Sequence, residues 1–490
     1  MAPVYLSAAH KSSGKTSAAI GLLAAFAQRG LVVQPFKKGP DYIDPMWLTR
    51  ASGRSCYNLD YNTQSEDEIR ATFKRHAVNA GFALIEGNKG LHDGVDVEGC
   101  DCNAAMAKLL GASVVLVLDT IGLTRGIVPL VLGYQAFDRD VTIAGVILNR
   151  VAGPRHEGKL RAALEHYTDI PILGALGRDE QLALTERHLG LTTPCEVNRA
   201  DTMVRRLRMA VNDGIDLDRI IEIAEPASIS PESDLRPVQA TVKDVRLGIA
   251  RDVAFNFYYP DDLEALEKAG AKLIHFDALQ DSRLPDIDGL FIGGGFPEMQ
   301  MAALEANASL RGEIRDAAAS GLPVYAECGG LMYLCRSISW RGKCREMVGA
   351  VPFDAVMHER PQGRGLVSLE QTGRCPWAPP RSAMRQPVRG HEFHHAALVN
   401  GPADTSYAYR VARGFGIDGQ HDGIVIGNLM ASFCHLRDTG QDRWAERFVS
   451  FVRSCGHRSR NDIATPVQDH LSGHRQEPVR LKSAAGHNTF

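Results

Sequence analysis

Short apolar runs alternate with helix-like segments along the first part of the chain. The runs "PVYLSA", "LVVQPFK", "FALIEG", "SVVLVLDT" and "VTIAGVILNR" are continuous, and the first is followed by the helix-like "SAAIGLLAAFAQRG", which ends at Gly30. Continuous apolar strands separated by helices are typical of a parallel sheet that is covered on both faces. The pattern therefore predicts an α/β domain built on a parallel sheet.

A second alternating series follows a break in this pattern. Around residues 200 to 242 the periodicity weakens, and the segment "AEPASISPESDLRPVQATVKD" is rich in proline and serine. The alternation then resumes with "VRLGIARD", "AKLIHFDAL", "GLFIGGGFPE" and "LPVYAECGG". We therefore expect a linker and then a second α/β domain.

The length of the chain agrees with two domains. Its 490 residues are too many for one ordinary core, and two domains of about 200 residues each are the natural expectation. We place the first domain at 1–200, the linker at 201–242 and the second domain at 243–452. Residues 453–490 lack apolar periodicity, so we expect a disordered tail there.

Composition and charge exclude several classes of protein. The formal net charge is -3 and there is no long basic run, so we expect no nucleic-acid or membrane partner. The ten cysteines include no Cys-x-x-Cys pair, which favours reduced thiols over a zinc site. The sequence shows no secretory signal and no apolar run of about 18 residues. We expect a cytoplasmic protein.

The segment "AAHKSSGKT" follows a predicted strand and opens a helix, as a phosphate-binding loop does. Its Lys15 would reach the terminal phosphates of ATP, and the Thr16 hydroxyl would bind Mg²⁺. The loop departs from the usual Walker A pattern at Ala9, where that pattern has glycine. The residues of the loop that we expect to bind ATP are Ser12, Ser13, Gly14, Lys15 and Thr16.

Acidic residues recur near the ends of the predicted strands. Asp44 and Glu86 are the carboxylates that we expect to bind Mg²⁺ together with Thr16, because Mg²⁺ prefers oxygen ligands. The residues that we assign to the substrate and the transferred phosphoryl group are Lys37, Asp41, Tyr42 and Asp93. Acids near glycine and proline are also common as solvated loop residues. Asn149, at a strand end, would contact the base of ATP or cap a turn.

Cys328 lies in "VYAECGGLMYL", where a strand-like run gives way to a helix-like one. The two glycines that follow permit a tight turn, which would place the sulfur at the amino terminus of a helix and favour the thiolate. A nucleophile also needs a base, and His435 in "ASFCHLRDTG" is the first candidate. The segment "GHEFHHA" offers three alternatives for that base or for a substrate pocket, His391, His394 and His395.

The segment "IGGGFPE" supplies glycines whose backbone N–H groups a nucleophilic site can use. Backbone N–H groups of Gly294 and Gly295 would join that of Gly329 in an oxyanion hole. Glu298, in the same segment, would hold the cationic amine of a bound amino acid.

Residues 1 to about 450 resemble the cobyrinate a,c-diamide synthase family, glutamine-dependent ligases that amidate tetrapyrrole carboxylates. The segments that carry the resemblance occur in order: "SSGKT", "QPFKKGPDYIDP", "NLD", "EGNKGLHDG", "GVILNRV", "ALTERHLGL", "FNFYYP", "GGGFPE", "AECGGLMYL", "GHEFHH" and "ASFCHL". The resemblance implies a dethiobiotin-synthetase-like amino-terminal domain and a class I glutamine amidotransferase domain. Wider members of that class carry His-x-Glu, whereas this chain has Arg437 at the third position.

The resemblance also implies a two-part reaction. Cys328 and His435 would release ammonia from L-glutamine, and the amino-terminal domain would activate a tetrapyrrole carboxylate with ATP as an acyl phosphate for ammonia to attack. The oligomeric state stays open, with a homodimer among the options.

Three residues depart from the pattern expected of the cobyrinate enzymes, Lys38, Asn88 and Lys89. All lie in the substrate half, so amidation of another acidic tetrapyrrole such as siroheme remains an alternative. A P-loop switch ATPase with an inert second domain is a rival of a different class, although such proteins usually have lysine where this chain has His10. A third alternative is a tetrapyrrole carrier without catalysis.

Overall fold

The computed structural model of the chain describes residues 3–179, 186–187, 190–196, 200–224, 242–380, 382, 384 and 386–463. These residues form two α/β domains in the predicted order, which confirms the fold class. No described helix is both long and apolar enough to cross a membrane.

The first domain is built on a seven-stranded parallel sheet with the order β3-β2-β4-β1-β5-β6-β7. Its strands are β1 (Val4–Ala8), β2 (Val33–Lys38), β3 (Tyr57–Leu59), β4 (Phe82–Glu86), β5 (Ser113–Asp119), β6 (Ile143–Val151) and β7 (Ile172–Gly177). A short antiparallel pair follows, β8 (Glu186–Arg187) and β9 (Gly190–Leu191). Because β1 lies at the centre of the sheet, the loop after it meets the ends of β2, β4, β5 and β6 at one edge.

Helices cover both faces of this sheet. They are α1 (Lys15–Gln28), α2 (Ile43–Ser52), α3 (Glu66–Ala77), α4 (Asn103–Leu110), α5 (Ile127–Phe137), α6 (Pro154–Tyr167), α7 (Ala200–Gly214) and α8 (Leu217–Ile223). The helix α1 is apolar on most of its circumference and is buried between the sheet and α7. The helix α3 begins with a capping box between Ser65 and Glu68, which satisfies two amide groups at its first turn.

The helices α7 and α8 occupy part of the range predicted as a linker. Leu207 and Val211 lie in the apolar cluster around α1, and a Cβ on Gly21 would lie only 2.4 Å from Val211 Cγ2. The linker prediction is therefore wrong for residues 201–224, because an amphipathic pair of helices completes the first core. Residues 225–241, part of "ALTERHLGL" and residues 464–490 of the predicted tail lie outside the described residues.

The second domain contains a nine-stranded mixed sheet with the order β12-β10-β13-β15-β24-β23-β22-β19-β20. The strands of the domain are β10 (Val245–Ala250), β11 (Phe255–Phe257), β12 (Ala271–Phe276), β13 (Gly289–Ile292), β14 (Gly294–Gly295), β15 (Val324–Glu327), β16 (Ser337–Trp340), β17 (Lys343–Glu346), β18 (Asp354–Met357), β19 (Gly363–Gln371), β20 (Val388–His394), β21 (Ala396–Val399), β22 (Ser406–Arg413), β23 (His421–Ile426) and β24 (Leu429–Ser432). The first five strands in the sheet order are parallel. Their carboxyl ends meet at one edge, where Cys328 follows β15.

The helices of the second domain are α9 (Pro260–Lys268), α10 (Met301–Ala306), α11 (Ala308–Ala319), α12 (Gly329–Leu334) and α13 (Trp444–Ile463), with a 3-10 turn at Pro297–Met299. The helix α13 continues beyond residue 452, and Arg453 in it forms an ion pair with Asp244 at 2.7 Å. The prediction of a disordered tail is therefore wrong for residues 453–463.

Candidate functional site

Cys328 occupies a sharp turn between β15 and α12. Its backbone has φ 46° and ψ -99°, a region that residues with a side chain rarely adopt. A Cβ on Gly330 would lie 2.3 Å from the carbonyl oxygen of Ile292, so only glycine permits this close packing of the turn. The thiol is buried, at 7% exposure, at the carboxyl end of the strand.

His435 is hydrogen-bonded to Cys328 on one side and to Glu327 on the other. Its Nδ1 lies 3.2 Å from Oε2 of Glu327, and its bond with Cys328 links base and nucleophile. The other Glu327 oxygen accepts bonds from the Leu436 N–H at 3.0 Å and the Tyr325 hydroxyl at 2.5 Å. The carboxylate that orients His435 therefore comes from the residue directly before the cysteine.

Electrostatics favour the charged form of His435. Burial lowers its pKa, but the hydrogen bonds with Cys328 and Glu327 outweigh burial and raise the pKa to about 10. The neighbouring His391 shows the opposite effect, because burial and the charge of His435 hold its pKa well below the usual value. The pair can thus place a positive charge on His435 alone, beside the sulfur.

The three alternative histidines make other contacts. The His391 ring stacks on that of His435, with centroids 4.9 Å apart. His394 bonds the carbonyl of Ala396 at 2.8 Å and stacks on Phe433. His395 bonds the carbonyl of His358 at 2.9 Å. The part of the chain that the structure describes holds no group of three or more His, Cys, Asp or Glu side chains suited to a metal ion.

The predicted oxyanion glycines lie together around the cysteine. A Cβ on Gly329 would lie 2.9 Å from the backbone nitrogen of Gly295, and a Cβ on Gly294 would lie 2.6 Å from Cε1 of His435. Gly295 also has φ 154° and closely approaches the carbonyl of Ala254. These contacts require glycine and leave the backbone exposed to the reacting centre. Glu298 is buried in the adjoining 3-10 turn.

The loop between β1 and α1 brings the predicted ATP residues together. Gly14 has φ 86° and Ser12 has φ 63°, which curls the backbone before the first turn of α1. Lys15 Nζ donates to the carbonyl of Lys89 at 2.5 Å. Burial and the neighbouring Lys37 lower the pKa of Lys15 to about 8. Asn149, from the end of β6, donates to the carbonyl of Ser13 at 2.8 Å and so holds the loop.

The acidic residues predicted to bind Mg²⁺ converge beside this loop. The Thr16 hydroxyl lies 2.6 Å from Glu86 Oε1 and 3.4 Å from Asp44 Oδ2. Lys37 Nζ lies among the carboxylates, at 2.6 Å from Asp44, 3.3 Å from Glu86 and 4.0 Å from Asp41. Burial and Asp44 raise the pKa of Asp41 to about 7.

This oxygen cluster fits a magnesium ion. The Glu86 side chain is fully buried, and its Oε2 has no hydrogen-bond partner. A buried carboxylate oxygen without a partner is costly unless a cation or a donor reaches it. A Thr hydroxyl, two carboxylates and the oxygens of a nucleotide are the hard donors that Mg²⁺ prefers.

One substrate-side prediction, Tyr42, receives a different position, whereas Asp93 stays near the phosphate-binding loop, where its charge acts on Lys15. Asp93 is an exposed loop residue whose Oδ2 accepts the N–H of Gly90 at 2.9 Å. The Tyr42 ring leaves the phosphate cluster and stacks on Phe257 of the second domain, with centroids 5.1 Å apart. Its centroid is also 5.1 Å from that of His435. Tyr42 therefore belongs to the surroundings of the glutaminase histidine, because α2 begins at the domain interface.

Arg437 occupies the position at which the wider class has glutamate, and it binds the other domain. Its guanidinium donates to the Asn58 carbonyl at 2.6 Å and to Gln64 Oε1 at 3.3 Å. It pairs with Asp261 at 2.5 Å and lies over the ring of Tyr259. The side chain is almost fully buried. Arg437 is thus an interface residue, and Glu327 occupies the place of the missing acid.

Sequence reasoning missed Glu327, although a signal was present. Residues two apart in a strand face the same side, so Tyr325 and Glu327 had to share the face toward one neighbour. An acid next to the nucleophile, together with the absence of an acid after His435, points to Glu327 as the orienting group. The contacts of Tyr42 and Arg437 had no comparable signal, because they depend on how the domains meet.

Comparison with known proteins gives the same division of the chain. Residues 8–191 match the CobQ/CobB/MinD/ParA nucleotide binding domain, and residues 246–441 match the CobB/CobQ-like glutamine amidotransferase domain. A cobyrinate a,c-diamide synthase of Magnetococcus marinus is 45% identical over 92% of this chain and 97% of its own length. One of Methanosarcina acetivorans is 40% identical over 92% and 95%. A solved glutamine amidotransferase covers 43% of this chain and 98% of its own at 15% identity, with a TM-score of 0.31, too low to support an argument.

Proposed function

The chain belongs to the cobyrinate a,c-diamide synthase family, and we propose that it uses glutamine and ATP to amidate the a and c carboxylates of cobyrinate. One observation carries the proposal: a cysteine–histidine–glutamate arrangement and a phosphate-binding loop occur in two adjoining domains of one chain. Relatives named for this reaction match more than nine tenths of the chain. The first domain would activate the acid, and the second would supply ammonia.

The glutaminase half begins with the Cys328 sulfur. The thiolate attacks the side-chain amide carbon of glutamine, and backbone N–H groups of Gly295 and Gly329 stabilise the oxyanion. His435, held by Glu327, donates its proton to the departing ammonia. Water then attacks the thioester with His435 as base, which releases glutamate and restores the thiol. Glu298 would bind the α-amine of glutamine.

The synthetase half takes place at the phosphate-binding loop. A carboxylate of the tetrapyrrole attacks the γ-phosphorus of ATP, forming an acyl phosphate and ADP, and ammonia then displaces phosphate to give the amide. Lys15 and the backbone of residues 12–14 would hold the phosphates. Thr16, Asp44 and Glu86 would hold Mg²⁺, which when bound supplies charge neutralisation at the transferred phosphoryl group. Lys37 and Asp41 adjoin that group.

The residues that suggested siroheme have a structural explanation. Lys38 is buried and donates to the Asn88 side chain at 3.3 Å. Burial lowers its pKa, and its bond to Asn88 joins two of the three departures. The choice of cobyrinate over siroheme rests on the relatives named for that reaction.

The test of the proposal uses two variants and one matched control. With cobyrinate and ATP, Cys328→Ala should lose synthesis from glutamine but keep synthesis from ammonium salt. Lys15→Ala should lose synthesis from both nitrogen sources while glutamine hydrolysis continues. Cys335→Ala removes another buried thiol seven residues away and should retain both activities.

Mass spectrometry identifies the product, with siroheme in a parallel reaction. Amide formed only from siroheme would replace the proposed substrate. ATP hydrolysis without consumption of glutamine and without amide formation would favour the switch ATPase instead. Binding of a tetrapyrrole without any product would favour the carrier.

A further inference from the structure

We infer that Tyr42, a residue of the ATP-binding domain, is a positioning residue of the glutaminase site in the other domain. The inference rests on the proposed function and concerns which domain supplies the surroundings of the catalytic base. In this role, the Tyr42 ring keeps the His435 imidazole aligned between Cys328 and Glu327.

The contacts of the Tyr42 ring carry this inference. The ring is parallel to that of Phe257, at an interplanar angle of 1°, and lies 4.4 Å from the ring centroid of Tyr259. The same ring lies 5.1 Å from His435 and 5.6 Å from His391. Tyr42 is buried, at 8% exposure, and its hydroxyl is hydrogen-bonded to Tyr259. The Tyr42 ring thus packs beside the imidazole of His435.

The Tyr42 ring restricts the position of the His435 imidazole in two ways. A charged imidazolium is attracted to the π face of a nearby aromatic ring, and close packing limits the rotation of a buried side chain. Without the ring, His435 would gain space on the side that Tyr42 now occupies. A small displacement of a catalytic group can lower a rate on the order of 100-fold.

The loop that carries Tyr42 is fixed to the ATP site on both sides of the ring. Asp41 Oδ1 accepts the N–H groups of Ile43 at 2.9 Å and Asp44 at 3.1 Å. Asp44 in turn contacts Lys37. The loop is therefore held by the phosphate cluster while its one aromatic side chain reaches the other domain.

A second connection joins the same loop to the segment that carries the base. The Asn58 side-chain amide donates to the carbonyls of Gly39 and Asp41, each at 2.8 Å. The Asn58 carbonyl accepts from Arg437, two residues after His435. The bond from Arg437 is buried, so the loop of the ATP site and the segment that carries His435 are joined across the domain interface.

The experiment compares glutamine-driven and ammonia-driven synthesis with cobyrinate in full-length variants. The ratio of the two rates cancels any damage that a substitution causes at the ATP site. We expect Tyr42→Ala to lower this ratio at least about tenfold, through kcat for glutamine more than through KM. Tyr42→Phe keeps the ring and should stay within about threefold of the wild type. Tyr42→Leu fills space without a ring and should resemble Tyr42→Ala, which keeps the test valid if alanine prevents folding.

The matched control is Tyr57→Ala. Tyr57 also lies at the domain interface, where its hydroxyl donates to Glu264 at 2.5 Å, and none of its described contacts is with His435. Its loss should leave the ratio unchanged. An unchanged ratio in Tyr42→Ala, or an equal loss in Tyr57→Ala or Tyr42→Phe, would overturn the inference. A wild-type protein that makes amide from neither nitrogen source would instead overturn the proposed function, and the assignment of Tyr42 with it.

Discussion

The carboxylate of Glu327 lies 3.2 Å from Nδ1 of His435, although the two residues are 108 positions apart. Glu327 directly precedes Cys328, the proposed nucleophile, so one strand end supplies both the sulfur and a carboxylate that contacts the proposed base. This arrangement replaces the acid that the wider amidotransferase class carries two residues after the histidine. The place of that acid is thereby free for Arg437, which binds the ATP domain.

Replacing Glu327 by glutamine should impair glutamine use selectively. The amide cannot stabilise the imidazolium, and the loss of such an orienting acid lowers rates on the order of 10²–10⁴-fold. We expect that loss in kcat/KM for glutamine, while ammonia-driven synthesis stays near the wild-type rate. Glu370→Gln, at an exposed position of the same domain, is the control. Normal glutamine hydrolysis by Glu327→Gln would show that the carboxylate has no catalytic role.

Removing Arg437 should destabilise the protein. The guanidinium is 2% exposed and pairs with Asp261 at 2.5 Å, so Arg437→Ala leaves a partly buried carboxylate without its partner. Such losses cost about 3–5 kcal/mol, which urea unfolding would measure. Arg70→Ala is a suitable control because the side chains of Arg70 and its partner Glu66 are 43% and 62% exposed, and an exposed ion pair contributes about 0–1 kcal/mol. Equal effects of the two substitutions would contradict the prediction.

Gly14→Ala should weaken ATP binding more than its backbone strain alone explains. Gly14 has φ 86°, and a Cβ there would lie 2.1 Å from Asn149 Nδ2, so the bond that holds the loop must break. Gly30→Ala is a matched control, because Gly30 has φ 82° and a Cβ there would meet nothing within 4 Å. Both substitutions should cost about 1–2 kcal/mol of stability from φ. Only Gly14→Ala should raise the Kd for ATP, by roughly tenfold, in calorimetry.

The affinity for ATP should fall above pH 8. Burial and Lys37 lower the pKa of Lys15 to about 8, so above that pH the amine is neutral and attracts phosphate less. We expect the Kd for ATP to rise by up to about tenfold for each further pH unit, with proton uptake on binding. Lys15→Arg retains its charge and should give a flat profile over the same range. A flat profile in the wild type would show that Lys15 does not titrate there.

Much of the fold followed from local patterns in the sequence. Continuous apolar runs predicted β1, β2, β4, β5 and β6 of the first sheet and β10, β12, β13 and β15 of the second, because strands that are buried on two faces need apolar side chains. The break around residue 200 was misread, since α7 is amphipathic and polar on average, and only the folded chain shows that apolar residues of α7 and α8 pack in the cluster around α1. Helix propensity alone could not assign α7 and α8 to the core of the first domain.

The sequence by itself indicated the parts that we propose for the chemistry: the nucleophile Cys328, the base His435, the loop around Lys15 and the oxygen ligands Asp44 and Glu86. Each lies in a short segment whose spacing reflects local chemistry. Tertiary structure alone decided that Arg437 joins the domains and that Tyr42 contacts His435, and it placed Glu327, for which the sequence held a signal, beside His435. These relationships depend on side-chain direction at a strand end and on how two surfaces meet, because contacts between residues hundreds of positions apart leave no periodic trace along a single chain.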